Sequence, residues 1–306
     1  MKINNNTFTS AGIFIALIGG FFIPNGTLFK PFIPWLLGIL LFFSFLKIEF
    51  SMSHFIRKEL LYYPAIIIII LPAVIFLLTG GLDSTIRLGL ILLCITPPAT
   101  SAPVVSGFIN AKREFIVTNV LIYNFFAPFI YALLLPLYFM NAEVTVNPVK
   151  ILVSVSLVIF SPLLLALLVR ISSRLTARFE KAAPYVNPPI LFLVVASGIA
   201  ASSDEIKRHF SENPVGGIML LLIVIALCVI LYFIGWMLPG DRQMKKTLAL
   251  SLGHKNTALA ISIALTNFNP ITAVPVLLYV LVQNTINGIL ISREGKTVES
   301  PPAEIC

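Results

Sequence analysis

The sequence predicts an all-α polytopic membrane protein of ten transmembrane helices, arranged as two five-helix repeats of inverted topology. Three observations carry this. The 306 residues are 58% hydrophobic and only 11% charged, with a mean hydropathy of +0.98, whereas soluble domains average about 25% charged residues. The basic residues fall in short loops that alternate in density from one gap between apolar runs to the next. One apolar run in each half is interrupted by helix-breaking residues.

A helix needs about 20 apolar residues to cross the hydrocarbon layer. The first run, 8–24, follows a single lysine and has no clear A-x-A cleavage site, so it reads as a span and not as a signal peptide. The second, 31–47, lies between Lys30 and Lys47, and the third, 60–79, follows Arg57 and Lys58. The fourth, 87–109, holds three prolines, and the fifth, 115–139, holds Thr118, Asn119, Tyr123, Asn124 and Pro128. The sixth, 150–171, ends at a basic segment with Arg170, Arg174, Arg178 and Lys181. The seventh, 187–202, runs up to Lys207 and Arg208, and the eighth, 215–238, up to Arg242, Lys245 and Lys246. The ninth, 247–267, contains Lys255; the tenth, 273–292, contains Gln283, Asn284 and Asn287 and precedes Arg293 and Lys296. With ten spans, the dense basic loops all share a side with both termini, and the sparse ones (Lys30, Arg87, Lys150, Lys207 and Arg208) face away. Cytoplasmic loops carry the excess of Lys and Arg, so both termini, including a tail at 294–306, are expected in the cytoplasm of an inner (plasma) membrane. The net charge of +8 sits in these loops and not on one soluble face, which speaks against nucleic acid as a partner.

An odd number of spans per half means that a duplicated unit inserts upside down. Carriers built this way place their site where interrupted helices meet. Pro97, Pro98 and Pro103 fall near the centre of span four. Each removes a backbone donor and clashes with the preceding turn, so the helix should unwind, with Thr96, Thr100 and Ser101 beside the freed carbonyls. In span nine the interruption is Gly253, His254, Lys255 and Asn256. Each break exposes a half-helix N-terminus with free N–H groups, which attracts anions. Asn124 and Gln283 are spaced to reach back to the breaks. Most other amides in these spans read as interhelical glue, and the prolines alone could mark no more than a kink.

The residues of several spans resemble the bile acid:sodium symporter family. "KPFIPWLLGILLFFSFLKIEFS" (30–51) is similar to that family's second span. "TPPATSAP" (96–103) stands where the family has a Pro-Gly-Gly-Thr-Ala-Ser-Asn crossover, and "LGHKNTALAISIAL" (252–265) resembles its Glu-x-Gly-x-Gln-Asn-x-x-Leu-Ala crossover, followed by "AVPVLLYVLVQNTINGIL" (273–290). The resemblance implies a panel domain of spans 1, 2, 6 and 7 (about 8–47 and 150–202). It also implies a core domain of spans 3–5 and 8–10 (about 60–139 and 215–292), in which helices 4 and 9 cross where they unwind. Organic anions, such as bile acids and smaller carboxylates, would bind between the two. Thr100 and Asn256 match the crossover threonine and asparagine associated with substrate. The implied sodium ligands are not kept: Ser251 stands at the glutamate, Lys255 at the glutamine, and Ala102 and Pro103 at the Ser-Asn pair.

Lys255 then reads as a fixed cation taking the place of sodium, its three donors satisfying the carbonyls of the broken helices. Other readings are a contact to the substrate carboxylate, a proton carrier, and a lysine snorkelling to a headgroup, the last opposed by a depth of about 12 Å at the helical rise. His254 reads as a hydrogen-bonded packing residue or a proton relay. The expected substrate-binding set is Thr100, Ser101, Asn256, Asn124 and Gln283; Lys255, His254 and Ser251 form the coupling set. No cofactor or metal is expected. The three cysteines lack metal or disulfide spacing, no catalytic motif of an intramembrane enzyme is present, and polar residues clustered at one depth do not make a channel. Alternatives to an organic-anion carrier are an efflux carrier of the auxin-efflux or arsenite-efflux type and a receptor that binds ligand without moving it. A small organic anion and the lipid bilayer are the expected partners, and oligomeric state is left open, with a monomer plausible.

Overall fold

A computed structural model describes residues 15, 18–23, 26–46, 58–139 and 144–295. Most of the first predicted span, and the tail beyond residue 295, lie outside the described residues. Helices make up the architecture, and the sole extended pairing among the described residues is an antiparallel bridge between Pro98 and Lys255. A 3-10 segment, Gly26–Phe32, leads into α1, Ile33–Leu46. α2 covers Glu59–Leu78, and α3 is short, Ser84–Ile95. α4 is Ala102–Phe108, α5 Arg113–Phe139 and α6 Pro148–Arg170. α7 is Ser173–Glu212, α8 Pro214–Met237, α9 Arg242–Gly253 and α10 Thr257–Asn267. A 3-10 turn, Pro270–Ala273, opens α11, Val274–Gly295.

Among the described residues, seven helices are long and apolar enough to cross a membrane. Large apolar side chains such as Leu133, Leu137, Leu164, Leu168 and Phe233 point outward. In water such a surface would drive aggregation; in lipid it is solvated. The protein is a polytopic membrane protein. The predicted fourth and ninth spans fail a length test because each is split, α3 from α4 and α9 from α10, and the halves are too short to cross alone.

One boundary differs from expectation. Arg174, Arg178 and Lys181 were expected in a loop before a span at 187–202, but they lie in the first turns of α7, which runs for 40 residues. At 1.5 Å per residue that is about 60 Å, twice the hydrocarbon thickness, so the helix projects beyond it. A charged amphiphilic stretch can remain helical where water solvates its polar side chains, and loop-like composition alone does not end a helix. Pro184, Pro188 and Pro189 lie inside it.

α1 packs against α6 and α7, while α8, α9 and α11 pack together beside α2 to α5. α10 lies between the two groups, touching α1, α6 and α7 on one side and α3 and α11 on the other. Polar side chains that cap or tie helix ends cluster at the loop between α8 and α9. Asp241 caps α9 through Met244 N–H at 2.7 Å and pairs with Lys112 at 2.7 Å. Lys246 meets Glu294 at 2.7 Å and donates to the Ile109 carbonyl at 3.0 Å.

Candidate functional site

α3 stops where the prolines remove its donors. In a continuing helix the Leu93 and Cys94 carbonyls would accept from residues 97 and 98, which are prolines and have no N–H to give. Leu93 O instead accepts from Thr96 N–H in a tighter turn, at 3.3 Å. The Cys94 carbonyl accepts from Lys255 Nζ at 3.0 Å. The same Nζ donates to Thr96 O at 3.0 Å, a carbonyl that also accepts from the Tyr63 hydroxyl at 2.9 Å. The Tyr63 ring lies 5.3 Å from Nζ, within cation–π range. Lys255 is completely buried, 0% exposed, and no carboxylate pairs with it among the described residues.

The energies show how a buried lysine is tolerated here. A lysine at the centre of a membrane helix costs about 2.5–3.5 kcal/mol on insertion scales. Hydrogen bonds to a charged group contribute about 1.5–3 kcal/mol each, so two of them offset the insertion cost. Nζ also sits at the C-terminal end of α3, where the helix dipole favours a cation. Snorkelling does not describe this side chain, which turns inward to carbonyls.

The second break is built differently. Gly253 ends α9 against the ring of Tyr232: a Cβ there would lie 2.2 Å from ring carbon Cδ2, so the absent side chain is a packing requirement. The Gly253 carbonyl accepts from the Tyr279 hydroxyl at 2.7 Å. Residues 254–256 then run beside 97–99. Ala99 N–H donates to His254 O at 2.8 Å, and Asn256 N–H donates to Pro97 O at 2.9 Å. The two breaks therefore pair backbone to backbone, which answers the question of where the donors and acceptors of unwound chain go inside an apolar protein.

The predicted amides do reach the breaks. Gln283 takes the Lys255 N–H on Oε1 at 2.9 Å and returns Nε2–H to Lys255 O at 3.2 Å. Asn124 donates to Pro98 O at 3.0 Å and to Val120 O at 2.8 Å, and its Oδ1 accepts from Asn256 Nδ2 at 2.9 Å. Asn256 caps α10, its Oδ1 accepting from Leu259 N–H at 3.3 Å. These amides are buried and largely satisfied by the crossover itself. Thr100 is half-buried and Ser101 exposed; Ser101 Oγ lies 3.3 Å from His254 Nε2. Pro103, expected within the break, instead lies in the first turn of α4, where a missing N–H costs nothing. Ser251 is buried in α9, and its hydroxyl has no partner among the described residues.

The tyrosines around the crossover were not singled out in the sequence. Tyr63 and Tyr279 bond the breaks directly, Tyr131 donates to Thr96 Oγ1 at 3.0 Å, and Tyr232 donates to Asn287 Oδ1 at 2.7 Å. A tyrosine inside an apolar run must find a partner for its hydroxyl, and that was the available signal. A cavity of about 440 Å³ lies between residues 18–22, α7 and α11, with Phe21, Ile199, Phe210, Val274 and Leu277 among its walls. It is apolar, and no crossover residue lines it.

Two interrupted helices, bridged where they unwind inside a set of apolar spans, form the arrangement used by secondary carriers. The chain belongs to the SBF-like CPA transporter family, whose profile matches residues 39–295 and so covers both breaks. It is 25% identical over 311 aligned positions to the uncharacterized sodium-dependent transporter YocS of Bacillus subtilis (strain 168), covering 97% of this chain and 93% of that one. It is 26% identical over 200 positions to the probable sodium/metabolite cotransporter BASS1, chloroplastic, of Oryza sativa subsp. japonica, covering 64% of this chain and 48% of that one. The resemblance to the bile acid:sodium symporter family is thereby upheld, and these relationships make the protein a transporter and not an enzyme.

Proposed function

We propose that the protein is a secondary transporter of small organic anions that works by alternating access without sodium, its Lys255 ammonium standing where relatives hold the ion. The observation that carries this is the buried Nζ, hydrogen-bonded to the Cys94 and Thr96 carbonyls at 3.0 Å each. A cation fixed at the carbonyl end of α3 already supplies the charge that a sodium ion would bring. Sodium is a hard ion that takes several oxygen ligands, and Ser251 and Lys255 remove a carboxylate and an amide oxygen from the pattern the sequence resembles. The relatives' names describe a sodium-dependent transporter and a sodium/metabolite cotransporter; at these residues this chain departs from the family pattern that its sequence resembles.

On this reading the chain has ten spans in two inverted repeats. The panel comprises α1, α6, α7 and the first span, and the core comprises the remaining helices, with α3–α4 and α9–α10 crossing. The packing of α1 with α6 and α7, and the apolar cavity where α7 and residues 18–22 face α11, support a panel moving against a core. Thr100, Ser101, Asn256, Asn124 and Gln283 form the substrate end of the crossover, the three buried amides by holding its geometry, and both termini lie on the cytoplasmic side of the inner membrane. The test is counterflow of organic anions in proteoliposomes, in sodium and then in choline buffer. Equal exchange in both supports the proposal. A tenfold or larger gain with sodium contradicts it, and binding without any exchange favours a receptor.

A further inference from the structure

We infer that Ser101 and His254 form an anion-recognition pair across the two breaks, in which the histidine holds the serine hydroxyl as a free donor toward ligand. This rests on the organic-anion reading above. Ser101 ends the first break and His254 opens the second, and their side chains meet at 3.3 Å between Oγ and Nε2. His254 is 4% exposed, and its Nδ1 has no partner among the described residues. Ser101 is exposed although Pro97, Pro98, Ala99 and Ala102 around it are buried. α4 packs on α5, α9 and α11 and leaves Ser101, Val104, Gly107 and Phe108 uncovered along its other side. The open face of the crossover therefore begins at the Ser101 hydroxyl.

The unpartnered Nδ1 settles which way the hydrogen bond runs. A proton on Nδ1 would bury an N–H with nothing to accept it. A doubly protonated ring would do the same and bury a charge as well. With the proton on Nε2 the orphan atom is a lone pair, and buried donors are orphaned more rarely than acceptors. His254 Nε2–H thus donates to Ser101 Oγ. The Ser101 O–H is then not consumed by the histidine and can be donated to a ligand oxygen. An oxyanion, whether carboxylate or sulfonate, is the acceptor that gains most from such a donor. Lys255, next in sequence, contributes no competing donor on this face because its ammonium turns to Cys94 and Thr96. Ser101 contacts the ligand; His254 is a positioning residue.

Two measurements on the full chain in nanodiscs test the pair. The sequence has three histidines, so the ¹⁵N spectrum of histidine-labelled protein is sparse, and His254 is assigned by its loss in His254→Gln. A neutral ring protonated on Nε2, with a signal that moves in Ser101→Ala, is expected. A ring protonated on Nδ1 or on both nitrogens, or one indifferent to Ser101→Ala, overturns the pair. The ligand arm compares phenylacetate with its neutral isostere phenylacetamide. Loss of a hydrogen bond to a charged group should weaken phenylacetate about tenfold or more in Ser101→Ala and in His254→Ala, and phenylacetamide should weaken less in both. Equal phenylacetate affinity in parent and Ser101→Ala overturns the recognition role. Failure of the parent to bind phenylacetate overturns it too, while counterflow decides the wider transport reading separately.

Discussion

The two breaks solve one problem by opposite means. The break between α3 and α4 is made by subtraction: Pro97 and Pro98 withdraw two backbone donors and leave carbonyls facing inward. The break between α9 and α10 supplies donors: the Lys255 ammonium, the Asn256 N–H and the Asn256 amide all point toward the first break or its support, Asn124. The first side offers mostly acceptors and the second mostly donors, with Ala99 N–H to His254 O running the other way, and side chains of α2, α5 and α11 satisfy the rest. The difference teaches why a lysine is tolerated in so apolar a place: Pro98 frees Cys94 O, and the unwinding that follows frees Thr96 O, in a different helix.

Breaking this complementarity from the donor side should have the largest effect. Lys255→Ala strips the ammonium from Cys94 O and leaves Thr96 O with Tyr63 alone. A buried unsatisfied carbonyl costs about 1–3 kcal/mol, and the lost packing adds about 2–5 kcal/mol for a long buried side chain cut to alanine, so the melting temperature in detergent should fall strongly. Next is Gly253→Ala, whose Cβ meets the Tyr232 ring; overpacking of this kind costs about 1–3 kcal/mol, and thermal melting checks it. A Gly253→Ala variant as stable as the parent would show that Tyr232 can move and that the second break is less tightly held than the first. Gln283→Leu removes the amide that grips both backbone groups of Lys255 and should cost about 1–3 kcal/mol, again by melting, with Asn124→Leu similar. The smallest effect belongs to the loop outside the membrane. The hydrogen bond from Lys112, followed by the cap to Met244 N–H, holds the Asp241 carboxyl below its ordinary value of 3.8. A depressed carboxylate contributes stability above its unfolded value that disappears as the pH falls through the folded one. Asp241→Asn should therefore be slightly less stable than the parent at neutral pH, with the gap beginning to close only as the pH falls below about 3.8 toward the depressed folded value, as a pH series of melts would show.

Much of this was legible in the sequence. Prolines at 97 and 98 disfavour a continuous helix, though Pro188 and Pro189 are carried inside α7; with the second interruption at Gly253 to Asn256 and a lysine amid apolar residues in need of partners, both breaks could be anticipated. Asn124 and Gln283 were also placeable, because helical spacing brings them level with the breaks. The identity of the partners was not readable. Cys94 and Thr96 serve through backbone carbonyls, which no side chain announces. The hydroxyls of Tyr63, Tyr131 and Tyr279 converge from three helices whose relative rotation only packing fixes. Pro103 was misplaced because a proline reads alike inside a break and at the first turn of the helix that follows it. The length of α7 was hidden for a similar reason, since charged residues beyond the hydrocarbon layer are as compatible with helix as with loop.

The central proposal is that Lys255 serves as a permanent internal cation. The measurement that tests it most directly is the melting temperature of parent and Lys255→Ala in nanodiscs between pH 5.5 and 8.5, each with and without sodium. The account predicts a parent curve that is flat across this range and indifferent to sodium, with the variant lower at every pH. A variant that matches the parent throughout, or a parent that gains stability when sodium is added, would contradict it.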